Sequence, residues 1–198
     1  MKLLYSGASP FVAKVRMAAR FAGVDVEAVS VDAVSEDPVL IAANPLAKIP
    51  CLVTDEGIGV YDSRAIMRYL DRASGGKLFP SDPQVCGAAE ILEATCDGIS
   101  DCAVAYMYEM RFRPEEKWHQ PWLDRQWGKV SRALDHLEAS PDLTDQPMNA
   151  GTIALAACLG YLDLRFAGKW EAGHDRLRQW QTDFANNWPD YHELKPSA

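Results

Sequence analysis

The chain has 198 residues and a formal net charge of −8, room for one or two domains and a balance that argues against a nucleic-acid partner, because phosphate-binding surfaces are basic. Apolar residues make up 48% of it, enough for a sizeable core. No stretch approaches the ~20 apolar residues of a membrane span, and the apolar run after Met1 is too short for a secretory signal, so a cytoplasmic protein with no membrane partner is expected.

The first 75 residues alternate in type. The run "KLLY" reads as a strand and Pro10 to Gly23 as a helix. "VDVEAVSV" alternates with period two and reads as a second strand, and "DPVLIAAN" as a short helix. "PCLVTD" and "GIGVY" flank Glu56-Gly57, a hairpin signal. Asp62 to Ser74 reads as a helix with Ile66, Met67, Tyr69 and Leu70 as its apolar residues. The segment "SGGKLFPSDPQ", rich in glycine and proline, reads as a linker. Beyond it strand alternation disappears, and helices are predicted over 85–112, 115–139, 149–167 and 173–187, with Asn149 an N-cap. The expected organisation is a small α/β domain (1–75), a linker (76–84) and an all-α domain (85–198).

The cysteines are Cys51, Cys86, Cys96, Cys102 and Cys158, an odd number with no CxxC pair. Cys96 and Cys102 lie about 9 Å apart along a helix axis, beyond disulfide reach, so free thiols in a reducing compartment are expected. His119, His136, His174 and His192 show no ligand spacing, and no metal is expected.

Three short stretches carry chemistry. Ser9 precedes Pro10 at a helix start, where serine is a favoured cap and proline a favoured first residue. Ser6, before Gly7, ranks below it. In "NPLAKIPCLVTD", Pro50 stands at a strand entrance, where its missing N–H does no harm. A cis Ile49–Pro50 bond would turn the Ile49 main chain outward to pair with an extended peptide. In "YDSRAI", Asp62 and Ser63 open a helix whose free N–H groups and dipole favour a bound carboxylate. Each stretch taken alone is also explained by capping or turn formation.

Their order and spacing resemble the cytosolic glutathione transferase family over nearly the whole chain: "SPF" at the first helix, "NPLAKIP" before the third strand, "DS" at the third helix, "LFPSDP" leading into the helical part, and "TIALAACLGYLDLRF" as its core helix. The nearest likeness is to small bacterial members with a serine at the active position. The resemblance implies a thioredoxin-like N-terminal domain, an all-α C-terminal domain and glutathione as co-substrate, with no metal. It assigns Phe11, Lys48, Ile49, Pro50, Asp62 and Ser63 to glutathione binding. Ile49 would clamp the cysteinyl main chain, Ser63 would take the γ-glutamyl carboxylate, and Asp62, where family members often carry Glu or Gln, would face the ammonium. Ser9 would be the catalytic residue, donating its hydroxyl proton to the sulfur. That role is compatible with capping, because the oxygen can accept from the helix while the proton points away.

The electrophile pocket is expected between the domains. Its wall is assigned to "YMYEMRFR", with Tyr106, Met110, Arg111 and Arg113 sharing faces of one helix end, the arginines receiving an anionic group. Trp127 reads as core; Trp118, or alternatively Trp122, extends the wall. Cys51 is expected to be buried. Conjugation to a small electrophile leads, with glutathione-dependent disulfide reduction and a non-catalytic binding module as alternatives. Apolar residues on 62–74 and 85–105, together with the resemblance, predict a homodimer.

Overall fold

The computed structural model describes residues 1–35 and 37–198. The chain runs through β1 (Lys2–Tyr5), α1 (Pro10–Ala22), β2 (Glu27–Ser30), α2 (Pro38–Ala43), β3 (Cys51–Val53), β4 (Gly59–Val60) and α3 (Ser63–Ala73). The strands form one mixed sheet in the order β2-β1-β3-β4, with β1 parallel to β2 and antiparallel to β3. This is a thioredoxin-like domain. Successive residues of a strand point to opposite faces, and both faces of β1 are covered. Leu3 packs with α1 and α3, whereas Leu4 packs with Leu40 of α2 and with Val31 and Cys51.

Local chemistry fixes the ends of these elements. Gly23 closes α1 in the left-handed region at φ 72°, its N–H reaching back to the last turn. The Glu56-Gly57 turn forms, with Gly57 at φ 81° and Thr54 N–H donating to Ile58 O at 2.9 Å. The second strand is shorter than predicted, because Val24 and Val26 pack against the core before the chain enters the sheet.

The helical part comprises α4 (Pro83–Phe112), α5 (Gln120–Glu138), α6 (Pro141–Thr144), α7 (Ala150–Phe166), α8 (Asp175–Asn187) and α9 (Tyr191–Leu194). The expected 115–139 helix is interrupted: a single 3-10 turn at Glu115–Lys117 precedes α5, which restarts with Pro121 in its first turn. The four-residue helices α6 and α9 were not expected, being too short to show a helical period. Among the described residues no helix is long and apolar enough to cross a membrane.

The α7 helix is the axis of the structure. Every residue from Ala150 to Leu162 is buried, and a capping box starts it, Asn149 and Thr152 exchanging bonds of 2.8 and 3.1 Å. A Cβ on Gly151 would stand 2.6 Å from Ala89 O, so α4 and α7 approach to backbone distance there. One side of α7 (Ile153, Ala156, Ala157) packs with α1 of the sheet domain; the other (Leu155, Cys158, Leu162) packs with α4 and α5. The connection between the parts is firmly held. Asp71 accepts from Leu78 N at 2.8 Å and Phe79 N at 3.0 Å, and Leu78 O accepts from Ala150 N at 2.8 Å.

Candidate functional site

A cleft of about 1000 Å³ opens where the N-termini of α1 and α3 and the loop before β3 face α4 and the end of α7. Ser9 lies at its edge, half-buried, with extended backbone (φ −78°, ψ 126°) and its Oγ accepting from Val12 N at 3.3 Å. Capping uses the oxygen and leaves the hydroxyl proton uncommitted. Ser6 and Phe11 share this rim.

The loop over 44–50 is shaped by a residue not singled out in the sequence. Asn44 is buried; its Nδ2 donates to Lys48 O at 2.8 Å and its Oδ1 accepts from Leu46 N at 3.0 Å. Between them Ala47 takes φ 50°, a left-handed conformation that non-glycine residues adopt at a cost of about 1–2 kcal/mol. This bracing delivers Lys48, Ile49 and Pro50 to the cleft. The Ile49–Pro50 bond is cis.

At the third corner, Asp62 caps α3 by accepting from Arg64 N at 3.1 Å, and Ser63 follows, 4% exposed and lining the cleft. One carboxylate oxygen of Asp62 is thus engaged by the helix, and the other has no hydrogen-bond partner among the described residues.

Behind these corners lies a buried ionic cluster that sequence reasoning missed. Lys14 of α1 is 1% exposed; its ammonium donates to Glu93 at 3.0 Å and to both oxygens of Asp97 at 2.8 Å. Arg64 Nε joins from α3, 2.9 Å from Asp97. Burial pushes the Glu93 carboxyl up, with Lys14 opposing it. Asp101, one turn further along α4, is also pushed up, first by desolvation and then by Asp97, while Arg64 and Lys48 pull it down. The signal was present in the sequence: Lys14 interrupts the apolar face of α1, and Glu93 and Asp97 interrupt that of α4 four residues apart.

The wall of the cleft differs from the expected one. Arg111 lines it, but Tyr106, Met110, Arg113 and Trp118 do not. At 100° per residue, Tyr106, Met110 and Arg113 share one face of α4, whereas Val104, Met107, Tyr108 and Arg111 share another, and only the second faces the cleft. Tyr106 turns toward Trp127 and Phe166, and Lys169 donates to its hydroxyl at 3.0 Å. Arg113 pairs with Glu109 at 3.2 Å, and Trp118 Nε1 donates to Arg113 O at 2.9 Å. Met110, half-buried, lies on this same averted face. Trp122 is 42% exposed at the surface. In their place α7 supplies Tyr161 and Arg165. Burial pushes the Tyr161 phenol up to about 12, so it stays a protonated donor at neutral pH. Cys51 is buried, and desolvation pushes its thiol up. Among the described residues no group of His, Cys, Asp and Glu is arranged to hold a metal ion.

A model of the glutathione S-transferase N-terminal domain matches residues 3–78. The uncharacterized GST-like protein YibF of Escherichia coli K12 is 34% identical over 169 residues, 83% of each chain. A glutathione transferase family member from Pseudomonas fluorescens Pf-5, solved with bound glutathione, is 35% identical with a TM-score of 0.91, covering 100% of this chain and 99% of that one. A further Pseudomonas fluorescens Pf-5 structure, with bound S-(propanoic acid)-glutathione, is 34% identical with a TM-score of 0.86 over the whole of both chains. The chain belongs to the glutathione S-transferase family.

Proposed function

We propose that the protein is a glutathione S-transferase, binding glutathione and activating its thiol as a thiolate for attack on a small electrophile. The observation that carries this reading is the meeting, in one cleft, of the Ser9 hydroxyl, the Ile49 main chain and Ser63 at the start of α3. Glutathione is a γ-linked tripeptide with two carboxylates, an ammonium and a thiol, and each corner suits one of its groups. Ser63 and the α3 N-terminus take the γ-glutamyl carboxylate; Asp62 faces the ammonium; Ile49, with Lys48 and Pro50 beside it, pairs with the cysteinyl main chain. The Pseudomonas fluorescens relative supports the ligand, since it was solved with bound glutathione and again with an S-substituted glutathione.

Ser9 acts as a donor. A hydroxyl does not ionise near pH 7, but its hydrogen bond and the α1 N-terminus both favour the thiolate. Lowering a thiol by two pKa units needs about 2.7 kcal/mol, which a charge-assisted bond and a helix end supply together. Conjugation is favoured over disulfide exchange through an enzyme thiol, because no cysteine is among the described residues of the cleft and Cys51 is buried. The protein works as a homodimer on this reading, supported by Val85 and Ile91, exposed on α4.

The test is Ser9→Ala. Loss of the cap costs about 1 kcal/mol and leaves the fold intact. Spectroscopic titration of bound glutathione should show a raised thiol pKa, and turnover of a chlorinated nitrobenzene at neutral pH should fall while glutathione affinity changes little. Coincident titration curves would assign activation to another group. Faster turnover of a mixed disulfide than of the nitrobenzene would favour the reductase alternative, and failure of the wild type to bind immobilised glutathione would leave only a binding module.

A further inference from the structure

The turn that carries Ser9 lies between the end of β1 at Tyr5 and the start of α1 at Pro10. One main-chain bond closes it, from Ser9 N to Ser6 O at 3.2 Å. Among the described residues, Ser6, Gly7 and Ala8 have a single hydrogen bond to a distant element: Ser197 N donates to Gly7 O at 3.0 Å. The approach is close, since a Cβ on Gly7 would stand 3.2 Å from Ser197 O. The segment that reaches the turn is anchored before it arrives. Tyr191 and Leu194 of α9 are buried in the same core as Leu3 and the inner face of α1, and Arg20 of α1 pairs with Asp190 at 2.9 Å. Lys195 is extended (φ −61°, ψ 159°), as proline favours for the residue before it, so α9 ends there. Pro196 is buried against α7, where a Cβ on Gly160 would stand 3.0 Å from Pro196 Cδ. The fixed φ of that proline stiffens the chain just before the donating N–H.

We propose that the Lys195–Ser197 segment positions Ser9, with the Ser197 main-chain N–H as the positioning group; this rests on the reading of Ser9 as donor to the glutathione sulfur. Ser6, Ala8 and Ser9 all line the cleft, so the turn meets the ligand on one side and is tied by Ser197 on the other. The ionic cluster around Lys14 holds α1 behind the site but makes no bond to Ser6, Gly7 or Ala8. A misplacement of about 1 Å in a reacting geometry costs up to about 10²-fold in rate. The α3 N-terminus and the Ile49 main chain, which hold glutathione on this reading, do not depend on the turn. Loss of the Ser197 bond therefore weakens thiolate stabilisation more than it weakens binding.

The test is Ser197→Pro, which deletes the N–H, beside Ser197→Ala, which keeps it; the position is exposed, so neither change disturbs the core. Amide exchange at Ser9 in the ligand-free protein reads the bracing independently of glutathione. It should quicken about two- to tenfold in Ser197→Pro, the range of one lost hydrogen bond, and keep the wild-type rate in Ser197→Ala. Spectroscopic titration of bound glutathione should show a raised thiol pKa in Ser197→Pro. Turnover at neutral pH should fall about two- to fivefold and recover as pH rises past that value, while glutathione affinity is kept. Unchanged Ser9 exchange, or the same change in both variants, would overturn the proposal whatever happens to glutathione. Faster exchange with an unshifted thiol pKa would overturn it as well and leave the segment a structural brace only. A wild type that does not bind glutathione, or whose bound thiol Ser9→Ala does not shift, would remove the Ser9 reading and this one with it.

Discussion

Replacing Lys14 by methionine keeps the length of the side chain and removes its charge. The consequence follows from burial: the ammonium is 1% exposed, and the side chains of Glu93 and Asp97 are 9% and 5% exposed. Asp97 retains Arg64, itself half-exposed, but Glu93 loses the only cation bonded to it among the described residues. Breaking a buried pair from one side costs about 3–5 kcal/mol. The lower figure applies here, because Asp97 keeps a partner and Glu93 can take up a proton. A loss of about 3 kcal/mol lowers Tm by roughly 6–12 °C in a chain of this size. The pH dependence has a definite sign. Burial raises Glu93 above its ordinary value even with Lys14 present, so between its unfolded and folded pKa values the native state binds more protons and stability falls as pH rises. Without Lys14 the shift grows. The deficit of Lys14→Met should therefore be largest at neutral pH and above, and shrink as pH drops through the raised folded value of Glu93. Thermal melts of both proteins between pH 5 and 8 measure it. A loss under about 1 kcal/mol, or a deficit that does not change with pH, would refute the coupling.

Ser63→Ala should weaken glutathione binding by about 1.5–3 kcal/mol, the value of a hydrogen bond to a charged group; unchanged affinity by calorimetry would mean that the γ-glutamyl carboxylate binds elsewhere. Asn44→Ala removes both side-chain bonds that brace the 44–50 loop and should cost about 1–3 kcal/mol. Amide exchange should then quicken at Leu46 and Ala47, and glutathione affinity should fall. Sedimentation at micromolar concentration should give a dimer, and Ile91→Glu, at a position 58% exposed on α4, should shift it toward monomer. A wild-type monomer would refute the assembly.

What could be read from the sequence was local. Caps and punctuation announced α1, α3 and α7, because Ser9-Pro10, Asp62-Ser63 and Asn149 act on backbone groups within three residues of themselves. One period-two run announced β2, a short apolar run announced β1, and the Glu56-Gly57 turn announced the β3-β4 hairpin, while short motifs in the right order announced the domain that joins them. What could not be read depended on partners far along the chain. Lys14 is 79 and 83 residues from the carboxylates that hold it, so its burial has no local mark beyond one charge on an apolar face. The choice between the Tyr106 and Tyr108 faces of α4 is made by α7 and α5, which claim Tyr106 through Phe166 and Trp127. Arg165 lay unnoticed at the end of a helix read as core, because only the packing of α7 against α4 turns its last turn toward the cleft.

The ionic cluster does more than join two parts of the chain. Ser9 precedes Lys14 by five residues, about 7.5 Å along the helix axis, and belongs to the same rigid element. A slip of α1 by one residue would rotate it by 100° and withdraw the ammonium from both carboxylates. A smooth apolar contact between α1 and α4 penalises such a slip far less. The cluster therefore fixes the rotation of α1 against the helix that forms the cleft wall, and with it the position of the Ser9 hydroxyl relative to Val104 and Tyr108. Lys14→Met combined with Glu93→Met separates register from stability. Apolar replacement of a buried pair is often neutral or stabilising, so Tm should recover most of what the single change loses. Turnover should stay below wild type while glutathione affinity is kept, because sulfur and electrophile are then held by a helix free to shift. Recovery of both stability and turnover would show that packing alone sets the register of α1.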